Sequence, residues 1–390
     1  MELNEGIHLA YCTNIHRGEG WDETLKTLED YTLRVRDEVC RDEPYAIGLR
    51  LGHLAALELN DETSDNLKNF KIWLDKNNCY VFTINGFPYG QFHGARVKEQ
   101  VYRPDWTQQS RVEYTNLLFD LLVKLLPPGI AGSVSTLPGS FKEFIDDDGA
   151  QGDMIVNNIA QCGDHIARLA EETGRDLHLG LEPEPLGWFE TTAETVNFFD
   201  RFRSSKGNSY DSFLGVNYDT CHLAIEFESA VDAIATLRNN NIRISKIHLS
   251  SALRLTPAPQ NLKTLKGFED DVYLHQVVAK GKDGSLRRYR DLPDALGPAL
   301  SGGECIDEEW RVHFHIPLHN SPGNQFNDTR DHIDGVLALL SSDPSICQHL
   351  EMETYTWEVL PDELQSRDVV EQLVKEYQWT LDRLGRVGLA

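Results

Sequence analysis

Short runs rich in β-branched and aromatic residues alternate along the chain with longer stretches in which apolar positions recur at intervals of three and four. The short runs are Ile7–Cys12, Ala46–Leu51, Tyr80–Asn85, Ala131–Leu137, Leu177–Glu182, Phe213–Asp219, Ser245–Ser251, Arg311–Pro317 and His349–Thr354. Helical spacing is carried by Leu117, Leu118, Leu121, Leu122 and Leu125, by Ile155, Ile159, Cys162, Ile166 and Leu169, and by Ile333, Val336, Leu337 and Leu340. A final amphipathic helix places Val370, Leu373, Val374, Tyr377, Leu381 and Leu384 on one face. Strands that alternate with helices predict βα units and a parallel sheet.

Nine candidate strands are one too many for an eight-stranded barrel. Arg311–Pro317 is the predicted excursion, because the stretch before it is rich in turn formers and shows no amphipathic helix. The expected architecture is therefore α/β: one (β/α)8 TIM barrel over residues 1–390, with a loop insertion at about 254–310 and extended loops on the C-terminal face. A doubly wound open sheet is the alternative. It calls for a Gly-rich phosphate turn after the first strand, which Tyr11–Gly20 lacks.

Composition narrows the class of partner. The 390 residues include 37 Lys and Arg against 62 Asp and Glu, a formal net charge of −25. That charge repels nucleic acid and anionic membrane surfaces. Seven cysteines are scattered without a C-x-x-C pair, which argues against a disulfide framework and for a reducing compartment. The first twenty residues have no basic segment leading into an apolar run, and no stretch approaches the ~20 apolar residues of a membrane span. A cytoplasmic protein without membrane insertion is expected; the oligomeric state stays open.

Strand parity then sorts the candidate chemistry. In Leu177–Glu182 the leucines take one face and His178, Gly180 and Glu182 the other; in Phe213–Asp219, Gly215, Asn217 and Asp219 face inward. His248 lies between Ile247 and Leu249, and Glu351 and Glu353 alternate with Leu350, Met352 and Thr354. Strands five to eight thus offer an inward Glu182, Asp219, His248 and a glutamate at the same mouth. Glu353 is favoured over Glu351 because it sits about 6.6 Å nearer that mouth by strand rise. Carboxylates and an imidazole converging on one point repel unless a divalent cation joins them, and mixed O/N ligation suits Mn, Mg, Co or Zn without choosing among them. A cap on the helix near Glu228 is set aside for Asp219 because that helix begins too far away.

The ordered set Glu182, Asp219-Thr220-Cys221-His222, Lys246-Ile247-His248-Leu249 and a terminal glutamate resembles the xylose isomerase-like TIM-barrel superfamily, which includes sugar isomerases and epimerases, inosose dehydratases and endonuclease IV-type enzymes. Longer motifs, residues 8–19, 82–106, 179–195 and 350–361, resemble the EboE family of metabolite-traffic proteins. The resemblance implies that Glu182, Asp219, His248 and Glu353 bind metal, that Glu182 and Glu353 also move a proton on opposite faces of a substrate carbon, and that His222 holds a substrate oxygen. His16, His93 and His315 fall where loops would reach the mouth and are candidate substrate-binding residues. His313 and His315 stand where endonuclease IV-like members carry a D-x-H that binds a further zinc, which leaves more than one metal ion open. A basic cluster, Arg287, Arg288 and Arg290 with Lys280 and Lys282, could hold a substrate phosphate or simply form a solvated hairpin.

The expected function is a divalent-metal-dependent isomerase or epimerase acting on a small polyhydroxylated, optionally phosphorylated, metabolite in biosynthesis or traffic. The rivals are a metal-dependent phosphoesterase of the endonuclease IV type and a non-catalytic metabolite carrier.

Overall fold

The computed structural model describes residues 1–90, 98–301, 307–323, 325–356, 366 and 368–390. Eight parallel strands form the central sheet: β1 (His8–Tyr11), β2 (Tyr45–Arg50), β3 (Cys79–Asn85), β4 (Gly132–Thr136), β5 (Leu177–Leu181), β6 (Leu214–Asp219), β7 (Arg243–Leu249) and, after the excursion described below, β13 (His349–Met352). They lie in the order β1-β13-β7-β6-β5-β4-β3-β2, and a parallel bridge between Cys12 and Gly48 joins the two outer strands into a barrel. Each of the eight coincides with a run read from the sequence.

Helices cover the outside, and their ends follow from local chemistry. Asp147 caps Asp148–Thr173 by accepting from the Ala150 amide, and Gly174 ends it at φ 67°, a left-handed conformation that a side chain would oppose. Thr191 and Glu194 form a reciprocal capping box at the start of Thr192–Lys206, and Asp368 caps Val369–Arg386. Leu177, Leu179 and Leu181 point from β5 into the apolar layer that these helices cover.

Between β7 and β13 the chain leaves the barrel. It forms β8 (Leu253–Leu255), β9 (Val277–Gly281), β10 (Leu286–Tyr289), β11 (Asp307–Val312) and β12 (Asn327–Asp328), an antiparallel sheet in the order β10-β9-β11-β8-β12. Two helices, Pro259–Leu265 and Leu292–Leu300, accompany it, and Leu265, Val277, Leu292, Trp310, Val312 and Phe314 share a hydrophobic core separate from the barrel's. The sequence reading treated this stretch as a turn-rich loop. Its helices have seven and nine residues, too few turns for a 3.6-residue period to stand out. The expected strand over 311–317 is also displaced: β11 ends at Val312, and the residues beyond it turn toward the barrel mouth.

The barrel interior is polar in layers. Toward the N-terminal end, His8 Nδ1 bonds to the Tyr80 hydroxyl at 2.8 Å, His178 Nδ1 to Ser245 Oγ at 2.5 Å and His349 Nδ1 to Ser133 Oγ at 2.8 Å. One layer up, Lys246 and Glu351 form a buried ion pair of 2.6 Å. Gly48 makes room for it, because a Cβ there would lie 1.9 Å from Glu351 Oε1 and 2.6 Å from the Tyr11 carbonyl oxygen. The six described cysteines are unpaired, and among the described residues no helix is long and apolar enough to cross a membrane.

Burial holds all three inner-layer histidines below their usual pKa, His8 going from 6.5 to about 4 and His178 and His349 well below 6.5. At these three positions the unfolded chain therefore binds more protons than the folded one below pH 6.5, and their contribution to stability falls as pH drops from there toward 4. Urea unfolding midpoints measured across this window should fall with pH in the wild type, and the slope should flatten in a His178→Gln/His349→Gln variant; equal slopes would refute the assignment.

Candidate functional site

Each barrel strand ends at the same rim, and four of them deliver side chains to one point. Glu182 follows β5, Asp219 ends β6, His248 is the penultimate residue of β7, and Glu353 follows β13. His248 Nδ1 lies 3.1 Å from Glu182 Oε1, 3.2 Å from Glu353 Oε2 and 3.6 Å from Asp219 Oδ2. The four ligand-type atoms are all within 4.8 Å of one another and their residues are buried. Two carboxylates, a third and an imidazole in that space form a hard-oxygen and nitrogen donor set suited to a divalent cation.

Asp219 shows how the set is prepared. Its Oδ1 accepts from the Cys221 amide at 2.7 Å, the His222 amide at 3.1 Å and Ser250 Oγ at 2.5 Å, whereas Oδ2 is buried without a hydrogen-bond partner. Asp219 does not cap the helix after Glu228, which Ser229 caps, but it does cap a short helix, Thr220–Ile225, that the sequence reading did not foresee. That helix is a turn and a half long and begins directly at the strand end, so no periodic signal announced it. One oxygen caps, and the other is left facing the cluster.

The electrostatics follow from the crowding. Burial alone would raise Asp219, yet His222, His248 and His315 outweigh it and hold the carboxyl well below its usual range. Glu353 is likewise lowered against burial, chiefly by His248. Burial would lower His248, and the Glu353 and Glu182 carboxylates instead hold it well above 6.5. Behind it, His248 Nε2 meets Glu351 Oε2 at 2.9 Å, and Glu351 is pulled down to about 2 by Lys246 and His248 despite its burial. Lys246 also donates to Ser135 Oγ at 3.0 Å. Glu351 thus stands behind the imidazole, orienting it, and Glu353 stands in front.

His222 donates from Nδ1 to the Pro183 carbonyl at 3.0 Å, and its Nε2 lies 3.9 Å from Asp219 Oδ2. Burial opposes its protonation, but Asp219, Glu182, Glu184 and Glu353 raise it above 6.5. His313 and His315 arrive from the excursion. The Gln276 amide donates to the Pro185 carbonyl at 3.2 Å, so its Oε1 accepts from His313 Nδ1 at 2.7 Å. His315 Nδ1 donates to the Glu353 carbonyl at 3.0 Å. Burial lowers both imidazoles, and their Nε2 atoms face each other at 3.2 Å.

These residues open onto a cavity of about 70 Å³ at the barrel mouth. Glu182, Glu353, His222 and His313 line it, with Asn14, Glu184 and Gln276 as further polar groups and Phe87, Tyr102, Tyr273, Leu274 and Tyr355 as apolar walls. His315 sits behind His313. His16 is not among the lining residues; its Nε2 bonds to the Tyr11 hydroxyl at 2.9 Å and its ring stacks on Tyr31. His93 lies outside the described residues. The arginines of the basic cluster are paired with carboxylates: Arg287 with the buried Asp307, Arg288 with the buried Glu226, and Arg290 with Glu99 at 3.0 Å. None of these arginines lines the cavity.

Sequence reasoning passed over Glu184, Gln276 and Asn14. Glu184 shares the parity of Glu182, two residues on, and the flanking Pro183 and Pro185 hid it by ending the strand. Asn14, which donates to Glu353 Oε1 at 2.7 Å, and Gln276 lie in irregular segments where no period assigns a face.

No protein-family model matches the chain, and no curated protein matches it in sequence. Solved structures do resemble it. A presumed sugar phosphate isomerase/epimerase from Anabaena variabilis superposes with a TM-score of 0.52 at 12% identity, covering 98% of this chain and 99% of that one. The IOLI protein, solved with a bound zinc atom, gives 0.51 at 11% identity over 97% and 99%. A xylose isomerase domain protein from Alicyclobacillus acidocaldarius gives 0.50 at 11% identity over 98% of each chain. At such identities the likeness shows the fold, a xylose isomerase-like TIM barrel.

Partners that orient a metal-binding histidine matter nearly as much as the ligand itself. Glu351→Gln should lower the affinity for Mn²⁺ or Zn²⁺ by about 10- to 100-fold, measured by calorimetric titration of the metal-free protein; unchanged affinity would remove Glu351 from this role.

Proposed function

We propose that the protein is a divalent-metal-dependent isomerase or epimerase of a small polyhydroxylated metabolite. The observation that carries this reading is the placement of Glu182 and Glu353: both line the cavity, and each lies within 3.2 Å of the same His248 nitrogen. Glu182, Asp219, His248 and Glu353 would hold the ion, whose Lewis acidity lowers the pKa of a C–H beside a substrate carbonyl. Glu182 removes that proton as a general base and Glu353 returns one, or the reverse. Asn14 fixes the second oxygen of Glu353. His222, with Nδ1 committed to Pro183, directs its other nitrogen toward the substrate. The resemblance of the longer motifs to the EboE family suggests a place in metabolite biosynthesis or traffic.

A second reading, phosphoester hydrolysis with more than one ion, draws on the facing Nε2 atoms of His313 and His315. Metal stoichiometry separates the two: one ion per chain supports the isomerase, and three would support the hydrolase.

Incubation of the Mn²⁺-loaded protein with polyols and ketoses in D₂O should place deuterium on carbon. Glu182→Gln should slow that exchange by about 10²- to 10⁴-fold, the usual worth of a positioned general base. A carrier, by contrast, would bind the same compounds and exchange nothing.

A further inference from the structure

Gln276 lines the cavity from the excursion, immediately before β9, and is buried together with His313. Two hydrogen bonds join that pair: the His313 amide donates to the Gln276 carbonyl at 2.8 Å, and His313 Nδ1 meets Gln276 Oε1 at 2.7 Å. The other end of the Gln276 side chain crosses to the barrel, where Nε2 donates to the Pro185 carbonyl at 3.2 Å. Pro185 closes the segment Glu182-Pro183-Glu184-Pro185, in which two residues lack an amide hydrogen. Its carbonyls are claimed in turn: Pro183 accepts from His222 Nδ1 at 3.0 Å, Glu184 from the Gly187 amide at 2.8 Å, and Pro185 from Gln276.

A carbonyl oxygen only accepts, so these contacts dictate where hydrogens lie. With its NH₂ turned to Pro185, Gln276 shows Oε1 to His313, and Nδ1 of that ring carries a hydrogen in either protonation state. The reverse amide orientation would set Oε1 against the Pro185 oxygen, acceptor on acceptor. His222 is fixed in the same way by Pro183, and the His222 and His313 rings stand 4.7 Å apart, edge to face. Both ends of Gln276 are committed to protein groups, so it acts through other residues.

We infer that Gln276 is a positioning residue for the reaction: it locks His313 with hydrogen on Nδ1 and clamps the 182–185 segment, so that the excursion helps set the geometry of Glu182. The inference rests on the isomerase reading for the role of Glu182 and adds a residue on another element through which that role is held. Reaction geometry is steep enough for such a clamp to matter, since a reacting group displaced by about 1 Å can lose about 100-fold in rate.

Two measurements on the full chain test the assignment. Long-range ¹H–¹⁵N correlation spectra of the metal-free protein, with the His313 ring assigned by comparison with His313→Gln, should show hydrogen on Nδ1. Gln276→Met, which keeps the length and removes both hydrogen-bonding ends, should release the ring into a mixture of tautomers, and Gln276→Glu, which keeps an acceptor for Nδ1, should restore the wild-type signature. In the Mn²⁺-loaded protein, Gln276→Met should slow deuterium exchange into whichever of D-fructose, D-xylulose and D-psicose the wild type labels by about tenfold or more at saturating ketose, with KM changing less than kcat and Mn²⁺ affinity unchanged. A wild-type His313 with hydrogen on Nε2 alone overturns the inference without any variant. So does Gln276→Met with an unchanged tautomer or an unchanged exchange rate, or one whose slower exchange comes with loss of Mn²⁺, since the metal-ligand set would then have collapsed. Absence of exchange in the wild type would instead defeat the isomerase reading, and the tautomer spectra would still decide whether Gln276 locks His313.

Discussion

Three carboxylates drawn around one imidazole can be held together only by positive charge, and much of the barrel is arranged around that requirement. Lys246 sits one layer below the rim and neutralises Glu351, which is then free to hold the back of His248 while the front faces Glu182, Asp219 and Glu353. The ion pair fits only because residue 48 has no side chain. Burying two charges so deeply is costly unless the geometry is good and the remaining atoms are bonded. Here Lys246 gains Ser135 as a further partner, and Glu351 gains His248. The imidazole is thus oriented by the barrel's own interior, and its chemistry is directed outward.

How far the sequence revealed this depended on periodicity. The eight barrel strands were legible because a β-run bounded by turn formers is a signal of period two, and Glu182, Asp219, His248 and Glu353 followed from the same parity. Glu351 and Glu353 share a face, so parity could not divide them; the structure places one behind His248 and one before it. The short helix at Thr220 was invisible for the opposite reason, being too brief to show any period, and the double duty of Asp219 went unseen with it. The excursion after β7 was recognised as a departure from the barrel but not as a sheet, since its antiparallel pairs join residues as distant as Leu253 and Val312. Contacts at that separation leave little trace in local sequence.

The same distance explains the residues that were missed or misplaced. His16 has the sequence position of a mouth residue, yet its ring is captured by Tyr11 and Tyr31, an aromatic packing that only the folded chain brings together. The arginine cluster allowed an anion site or a solvated hairpin in a strongly acidic chain. Its partners Asp307, Glu226 and Glu99 are up to 191 positions away from it in sequence (290 − 99 = 191), and they consume its charge.

The separate core of the antiparallel sheet has a consequence for how such a protein can change over time. The residues proposed to hold a cation hang from the barrel, whereas Tyr273, Leu274, Gln276 and His313, which shape the cavity above them, hang from the excursion. Substitutions that rebuild the smaller core can therefore alter which molecule is admitted and leave the reactive centre intact. Inheritance of the reaction and diversification of its clientele are assigned to different parts of one chain, so that an ancestral chemistry can be carried forward while its repertoire is revised.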